Sequence, residues 1–71
     1  MLSPAQCRAA RALIAWSKQD LSAASEVTKA TIAGFEAERF FPDERTLRHV
    51  KRALEDAGVL FIAENGGGAG V

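Results

Sequence analysis

The chain is too short to build a large hydrophobic core, and it carries nothing that could staple a small one. Its 71 residues leave room for a single domain, whose core usually contributes only about 3–5 kcal/mol to folding. The one cysteine, Cys7, cannot close an internal disulfide, and with the single histidine, His49, it cannot supply a four-ligand zinc site. We therefore expect no metal and no cofactor, and we expect pairing with a second copy to supply part of the stability.

The composition fits a globular protein with no overall preference for a charged partner. A hydrophobic fraction of 48% argues against intrinsic disorder. Nine basic and nine acidic residues give a formal net charge of zero, so nucleic acid or another charged partner must be bound by a local patch. No apolar run approaches the roughly 18–20 residues that cross a bilayer, and no signal peptide is evident. These observations predict a cytoplasmic protein with no membrane partner.

Four segments carry the signals of a helix start. Each begins with a side-chain oxygen that can accept from a free N–H group of the first turn. Pro4 and Gln6 reinforce the first start, and Asp20 reinforces the second. The four N-cap residues are Ser3, Ser17, Thr28 and Asp43. The predicted helices run from Pro4 to Trp16, from Lys18 to about Ala24, from Lys29 to Glu36 and from Glu44 to Ala57, where Gly58 ends the last one.

Apolar side chains recur at helical spacing, so each long helix is expected to bury one face. Trp16 is expected to pack at the end of the first helix. Cys7 is expected to be a buried, inert thiol rather than a nucleophile. The predicted inward residues are Cys7, Ala10, Leu13 and Ile14 in the first helix, Val27, Ile32 and Phe35 at the third, and Leu47, Val50 and Leu54 in the fourth.

The end of the chain predicts a short strand followed by a tail. Val59-Leu60-Phe61-Ile62 is an apolar run of the β type. A lone strand leaves its backbone N–H and C=O groups unpaired, and no second strand is evident in the sequence. We therefore expect this segment to pair with its own copy across a two-fold axis. Residues 1–64 form the predicted domain, and residues 65–71 form a glycine-rich, flexible tail.

The second and third predicted helices, separated by a tight turn, are arranged as in DNA-binding proteins. The second helix of such a pair fits the major groove, and the first sets its N-terminus against the phosphate backbone. From residue 7 to residue 58 the sequence resembles the lambda-repressor-like (Xre-type) helix-turn-helix family. The resemblance is carried by Arg11, Trp16-Ser17-Lys18-Gln19-Asp20-Leu21, Val27-Thr28-Lys29-Ala30-Thr31-Ile32, Phe35-Glu36, Arg39, Pro42, Thr46-Leu47 and Ala53-Leu54.

This resemblance implies an all-α bundle of four helices, to which our reading adds the short C-terminal strand. It also implies a sequence-specific DNA-binding transcriptional regulator, here a small homodimeric repressor that inserts helix 3 into a palindromic operator. Arg11 and Glu36 occupy positions where the family commonly ties helix 1 to helix 3 by a partly buried ion pair. The DNA-binding residues that it implies are Lys18, Gln19, Thr28, Lys29, Ala30, Thr31, Gly34 and Arg39.

Simpler structural roles compete with these assignments. Thr28 is an N-cap whether or not DNA binds, and Lys29 is alternatively a solvated charge. The basic residues of helix 4 are interpreted as a solvated face and are left out of the site: Arg48, Lys51 and Arg52. Arg45 is a weaker candidate for phosphate than Arg39.

Several positions depart from the family pattern. Glutamates stand where the family often carries glycine, at Glu26 in the turn and at Glu38 after helix 3, so Glu26 must tolerate a strained turn unless the turn has another shape. Together with Asp20, these acids lie near the presumed DNA side and oppose phosphate. We expect weak binding by one copy, which a dimer strengthens by doubling the contacts.

Two adjacent aromatics, Phe40 and Phe41, leave a second functional reading open. One is expected to fold back onto the core and the other to lie at a partner surface. The rival function is an antitoxin-like or adaptor module that binds a protein partner, and a third reading is a nonspecific DNA-coating protein. No catalytic residues are predicted, because His49 has no Asp, Ser or Cys companion at catalytic spacing. We therefore expect the protein not to be an enzyme.

Overall fold

The computed structural model describes residues 2–62, and these residues form four α-helices. The all-α prediction is confirmed, and all four predicted N-caps are used. Each cap side chain accepts from the backbone N–H three residues further on, and Ser3 and Ser17 form reciprocal capping boxes with Gln6 and Asp20. The helices are α1 (Pro4–Leu13), α2 (Lys18–Ser25), α3 (Lys29–Glu36) and α4 (Glu44–Asp56).

The helices enclose one core. α2 packs on α3 and α4, and α1 packs on the same two helices. The largest fully buried side chains are Phe35, Leu21, Ile32, Leu54 and Cys7. Trp16 is partly buried and packs against this core. No helix within residues 2–62 has the length and apolar character needed to span a membrane.

The prediction that Leu13 lies in the core is wrong, because its side chain is 78% exposed. On a helix with 3.6 residues per turn, Cys7, Ala10 and Ile14 lie within about 60° of one another. Leu13 precedes Ile14 by one residue, and therefore points about 100° away from it. Leu13 lies at the edge of the inward face, where helical spacing alone does not separate a buried side chain from an exposed one.

Three of the helices end in the same hydrogen-bonded turn, in which the residue after the C-cap adopts the left-handed conformation. Gly58 (φ 108°) does this after α4, as predicted, but Ala15 (φ 57°) and Glu38 (φ 60°) do it after α1 and α3. The N–H of the next residue then bonds back to the helix, as in Trp16 N–H to the Arg11 carbonyl at 2.9 Å. This turn ends α1 at Leu13, three residues before the predicted end.

The predicted strand at Val59–Ile62 is not formed within residues 2–62. The N–H of Val59 instead donates to the Leu54 carbonyl at 3.0 Å, which completes the turn that ends α4. Val59 is buried and Phe61 packs against the core, whereas Leu60 and Ile62 are exposed. Inward and outward side chains alternate as in a strand, but the described chain offers no neighbouring strand to pair with. The predicted tail, residues 65–71, lies outside the described residues, as does the proposed domain boundary at residue 64.

We expect Glu38→Gly to raise the free energy of unfolding by about 0.5–1 kcal/mol, since glycine removes the steric cost of the left-handed conformation and returns part of that gain as unfolded-state entropy. Urea denaturation measures the change. The control is Ala37→Gly next to it, where φ is −85° and glycine relieves nothing, so stability should fall. A Glu38→Gly protein no more stable than the parent would contradict this interpretation of the α3 terminus.

Candidate nucleic-acid interface

α2 and α3 form a bihelical unit of two eight-residue helices joined by residues 26–28. Glu26 makes the turn in the left-handed conformation, at φ 62° and ψ 26°, so the strained turn expected at this glutamate is observed. The buried hydroxyl of Ser25 holds the turn closed. It donates to the Leu21 carbonyl at 2.7 Å and accepts from the Val27 N–H at 3.3 Å.

The role of Ser25 was not predicted, although its position relative to Leu21 gives a signal for it. A serine four residues after a leucine can bond back to that carbonyl, and such a bond is typical of the last turn of a helix. Here the two bonds of the hydroxyl join the last turn of α2 to the residue that precedes the N-cap of α3.

A buried ion pair fixes the end of α3 to α1. Arg11 donates from Nε to Glu36 Oε2 and from Nη2 to Glu36 Oε1, both at 2.7 Å, and from Nη1 to the Trp16 carbonyl at 2.9 Å. The Glu36 side chain is 3% exposed and that of Arg11 is 17% exposed. Paired donors facing both carboxylate oxygens constrain orientation as well as distance. The ion pair implied by the family resemblance is confirmed.

Two further residues of α1 bond to Glu36. The thiol of Cys7 donates to Glu36 Oε2 at 3.1 Å, and Arg8 Nη1 donates to the Glu36 backbone carbonyl. Burial, followed by the Glu36 hydrogen bond, raises the pKa of Cys7 to about 12, so the thiol is protonated at neutral pH and can act as this donor. The predicted burial of Cys7 is confirmed, but its hydrogen bond to Glu36 was not foreseen.

Opposing effects set the charge state of Glu36. Burial by itself raises the pKa of its carboxyl group. The hydrogen bonds from Arg11 and Cys7, together with the positive charges of Arg11 and Lys18, outweigh burial and hold that pKa below its ordinary value. Glu36 is therefore ionised at neutral pH, and Arg11 has its own pKa raised by the same hydrogen bonding.

The predicted contact residues of α2 lie in its first turn. Lys18 is the first helical residue and is half-buried, and Gln19 follows it in an exposed position. Their backbone N–H groups belong to the free N-terminal end of α2, where the helix dipole favours an anion. Asp20 is exposed in the same turn, and its carboxylate accepts from the Ser17 N–H at 3.0 Å. Its negative charge opposes an anion at this end of the helix.

The two threonines of α3 are bonded to each other. Thr28 Oγ1 accepts from the Thr31 N–H at 3.1 Å and donates to Thr31 Oγ1 at 2.8 Å. Thr28 is thus occupied by capping, as its simpler structural role predicts. Among residues 2–62 the Thr31 hydroxyl is bonded only to that of Thr28, so it keeps capacity for one further hydrogen bond to a partner.

The outer face of α3 carries one charge and small side chains. Lys29 and Ala30 are exposed in the first turn, and Ala33 is half-exposed one turn later. Neither an arginine nor an amide side chain, the residue types that bond two atoms of one base, occurs on this face of the helix. The geometry suits close approach of the backbone to a surface, with Lys29 as the one charged side chain on this face.

Gly34 does not lie on this outer face, contrary to the prediction. It is buried beneath the ring of Phe40, and a Cβ built on Gly34 would lie 2.9 Å from Phe40 Cδ1 and closer still to Cε1. Glycine is needed here so that the ring can lie on the helix. Arg39, in contrast, is exposed just beyond α3, with its backbone N–H bonded to the Gly34 carbonyl at 2.9 Å.

Positive and negative charges balance around the bihelical unit. Lys18, Lys29 and Arg39 are the predicted phosphate contacts, and each is at least partly exposed. Three exposed acids accompany them along the same segment: Asp20, Glu26 and Glu38. The local sum is zero, as is that of the whole chain, so attraction of a phosphate backbone depends on the placement of single side chains.

Comparison with known proteins adds no information about this site. The chain matches no protein-family model, and a search of curated proteins found no match. Among residues 2–62, no group of three or more histidine, cysteine, aspartate or glutamate side chains is arranged to hold a metal ion.

We expect Glu36→Gln to lower the free energy of unfolding by about 3 kcal/mol at neutral pH, because it leaves the Arg11 guanidinium partly buried without a counter-charge. Chemical denaturation followed by circular dichroism measures the loss. Glu44→Gln is the matched control. It removes an exposed pair with Arg48, at 3.2 Å, and should cost at most about 0.5 kcal/mol.

The difference between wild type and Glu36→Gln should also depend on pH. The Glu36 pKa lies below the ordinary value of 4.5 in the folded protein, so its contribution is fully present above pH 4.5 and is lost as pH falls through the folded-state pKa. The stability difference should therefore narrow in acid, whereas that of Glu44→Gln should stay small throughout. A wild-type advantage over Glu36→Gln that persists unchanged to low pH would contradict the assignment.

Proposed function

We propose that the protein is a sequence-specific DNA-binding transcriptional regulator of the lambda-repressor-like (Xre) type, acting in the cytoplasm. In this proposal α3 enters the major groove and occupancy of a promoter represses transcription. The observation that carries it is the bihelical unit α2–α3, whose second helix is fixed to α1 by the Arg11–Glu36 pair while Lys29 and Ala30 face outward.

The remaining contacts follow from this docking. The first turn of α2, with Lys18 and Gln19, is suited to phosphate through its free N–H groups and the lysine charge. Lys29 reaches a guanine edge or a phosphate, and the Thr31 hydroxyl donates to an acceptor on the backbone or a base. Arg39 contacts phosphate beside the groove. Gly34 drops out of the proposed interface because Phe40 covers it.

Affinity in this proposal comes from two copies. The absence of a bidentate reader on the outer face of α3 and the balanced local charge both favour weak binding by one protomer. A homodimer doubles the contacts and reads a two-fold-related operator. The segment Val59–Ile62 supports such a dimer, since Leu60 is 83% and Ile62 75% exposed while the residues between and before them pack inward.

We expect Lys29→Ala to weaken binding to a DNA fragment selected from genomic DNA at low salt by roughly tenfold, because one contact to a base or phosphate is lost. Footprinting and a mobility-shift titration measure this. Arg52→Ala on α4 removes an exposed positive charge away from α3 and should leave the footprint and affinity unchanged. Equal footprints for wild type and Lys29→Ala would remove Lys29 from the interface.

We expect Leu60→Asp/Ile62→Asp to convert a dimer to a monomer in multi-angle light scattering at micromolar concentration, since charges cannot replace the apolar contacts of a paired segment. Leu13→Asp, an exposed leucine on α1, is the control and should leave the dimer intact. A wild-type protein that is monomeric under these conditions would refute pairing through this segment.

One observation favours the rival function, an antitoxin-like or adaptor module. Phe40 rests on Gly34, and Phe41 meets Phe35 edge-on with ring centroids 6.0 Å apart, yet the two phenylalanines remain 47% and 65% exposed. Aromatic side chains held in place at a surface are suited to a protein interface. No mobility shift with genomic fragments at low salt, together with co-purification of a defined protein, would favour this module over the regulator.

A further inference from the structure

A groove in the described chain is lined by residues of α4 and of the C-terminal end of α2, and none of the proposed DNA-contact residues lines it. It has a volume of about 600 Å³ and runs between the C-terminal end of α2 and the exposed surface of α4. One wall is formed by Ala24, Ser25 and Glu26, so the α2 side contributes small side chains and a single acid. The α4 side contributes four basic residues and two acidic ones: Arg45, Arg48, Lys51 and Arg52, with Glu55 and Asp56 towards the C-terminal end.

Four residues give α4 a basic face, at positions that are successive neighbours on one side of the helix. Spacings of three, four and seven residues place Arg45, Arg48, His49 and Arg52 within about 100° of the helix circumference. All four are exposed, whereas Leu47, Val50 and Leu54 are buried on the other side of α4. Three guanidinium groups thus lie along two helical turns, over about 10 Å.

The described chain hardly neutralises this face. Arg48 has a surface ion pair with Glu44 at 3.2 Å, with both side chains more than two-thirds exposed, so that pair is weak. Within residues 2–62, Arg45 and Arg52 have no carboxylate within ion-pair distance. Two carboxylates of α4, Glu55 and Asp56, border the groove at its C-terminal end, so the positive charge of the helix is concentrated at residues 45–52.

We infer that the α4 basic face and its groove bind an acidic segment of a polypeptide. Carboxylates at helical spacing match the three arginines in charge and in repeat, since neighbouring positions on a helix recur every three to four residues. This inference goes beyond the proposed DNA binding and does not depend on it.

The acids that border the groove favour a polypeptide over a nucleic acid. Glu26 lies on the α2 wall, and Glu55 and Asp56 lie at the C-terminal end of α4. A duplex or single strand would bring phosphates along the whole groove and so meet these three carboxylates. A polypeptide can place acidic residues against the arginines and neutral or basic residues against Glu55 and Asp56.

The test uses a fluorescein-labelled helical peptide of four Glu-Ala-Ala-Ala repeats, with binding measured by fluorescence anisotropy at low and physiological salt. Arg48→Glu/Arg52→Glu should weaken binding at least about tenfold. The control Lys29→Glu/Arg39→Glu changes the net charge equally at exposed positions outside α4 and should weaken peptide binding less than about twofold. Circular dichroism verifies the fold, and Arg48→Gln/Arg52→Gln replaces the first variant if charge reversal unfolds it.

Three results would overturn the inference: no binding of the peptide at low salt, an equal loss in both double variants, or loss of duplex DNA binding rather than peptide binding in the α4 variant. The first two would mean that the face is merely solvated or that only net charge matters. The third would assign the face to DNA. Because the proposed function is tested by a DNA footprint at Lys29, either claim can fail while the other stands.

Discussion

The placement of α3 depends on the carboxylate of Glu36. This side chain ends α3, is almost fully buried, and accepts hydrogen bonds from Arg11 and Cys7 of α1. A buried pair of this kind adds little net stability compared with an apolar contact, because both ions lose water. Its two parallel hydrogen bonds do constrain geometry, and any rotation or slide of α3 against α1 would break them. The hydrogen bonds of Glu36 with α1 therefore determine which residues of α3 face outward.

A second constraint comes from the chain's small size. α2 and α3 are each only eight residues long, and such helices are not stable alone in water. They persist because Leu21, Ile32 and Phe35 are buried against α1 and α4. At the same time three non-glycine residues occupy left-handed conformations around them, which costs stability at every connection of the bundle. Burial of further surface between two copies would add to the stability of so small a chain, which is one reason to propose a homodimer.

Local signals in the sequence predicted much of this structure. The N-caps Ser3, Ser17, Thr28 and Asp43 act within three residues of themselves, so their pattern alone located every helix start. Helix ends were harder to predict. The turn that ends α1 places Ala15 in the left-handed conformation, and an alanine in the sequence gives no signal of this. The strand at Val59–Ile62 failed because a strand requires a partner that the described chain lacks.

The candidate site also combines features that the sequence predicts with features that depend on tertiary packing. Lys29 and Gln19 could be placed on the surface from the helix boundaries alone. The burial of Gly34 could not, because it depends on Phe40 returning from a separate segment to lie on α3. The groove beside α4 likewise required the packing of α2 on α4, although the spacing of Arg45, Arg48 and Arg52 was visible in the sequence.

In the proposed complex the bihelical unit binds DNA with the first turns of α2 and α3. The most direct measurement is a two-dimensional NMR titration of the protein with a short duplex taken from a selected genomic fragment. We expect backbone amide shifts to concentrate at residues 18–19 and 28–31, with smaller changes at Arg39. Shifts confined to α4 or to Phe40 and Phe41, or no shifts at low salt, would contradict it.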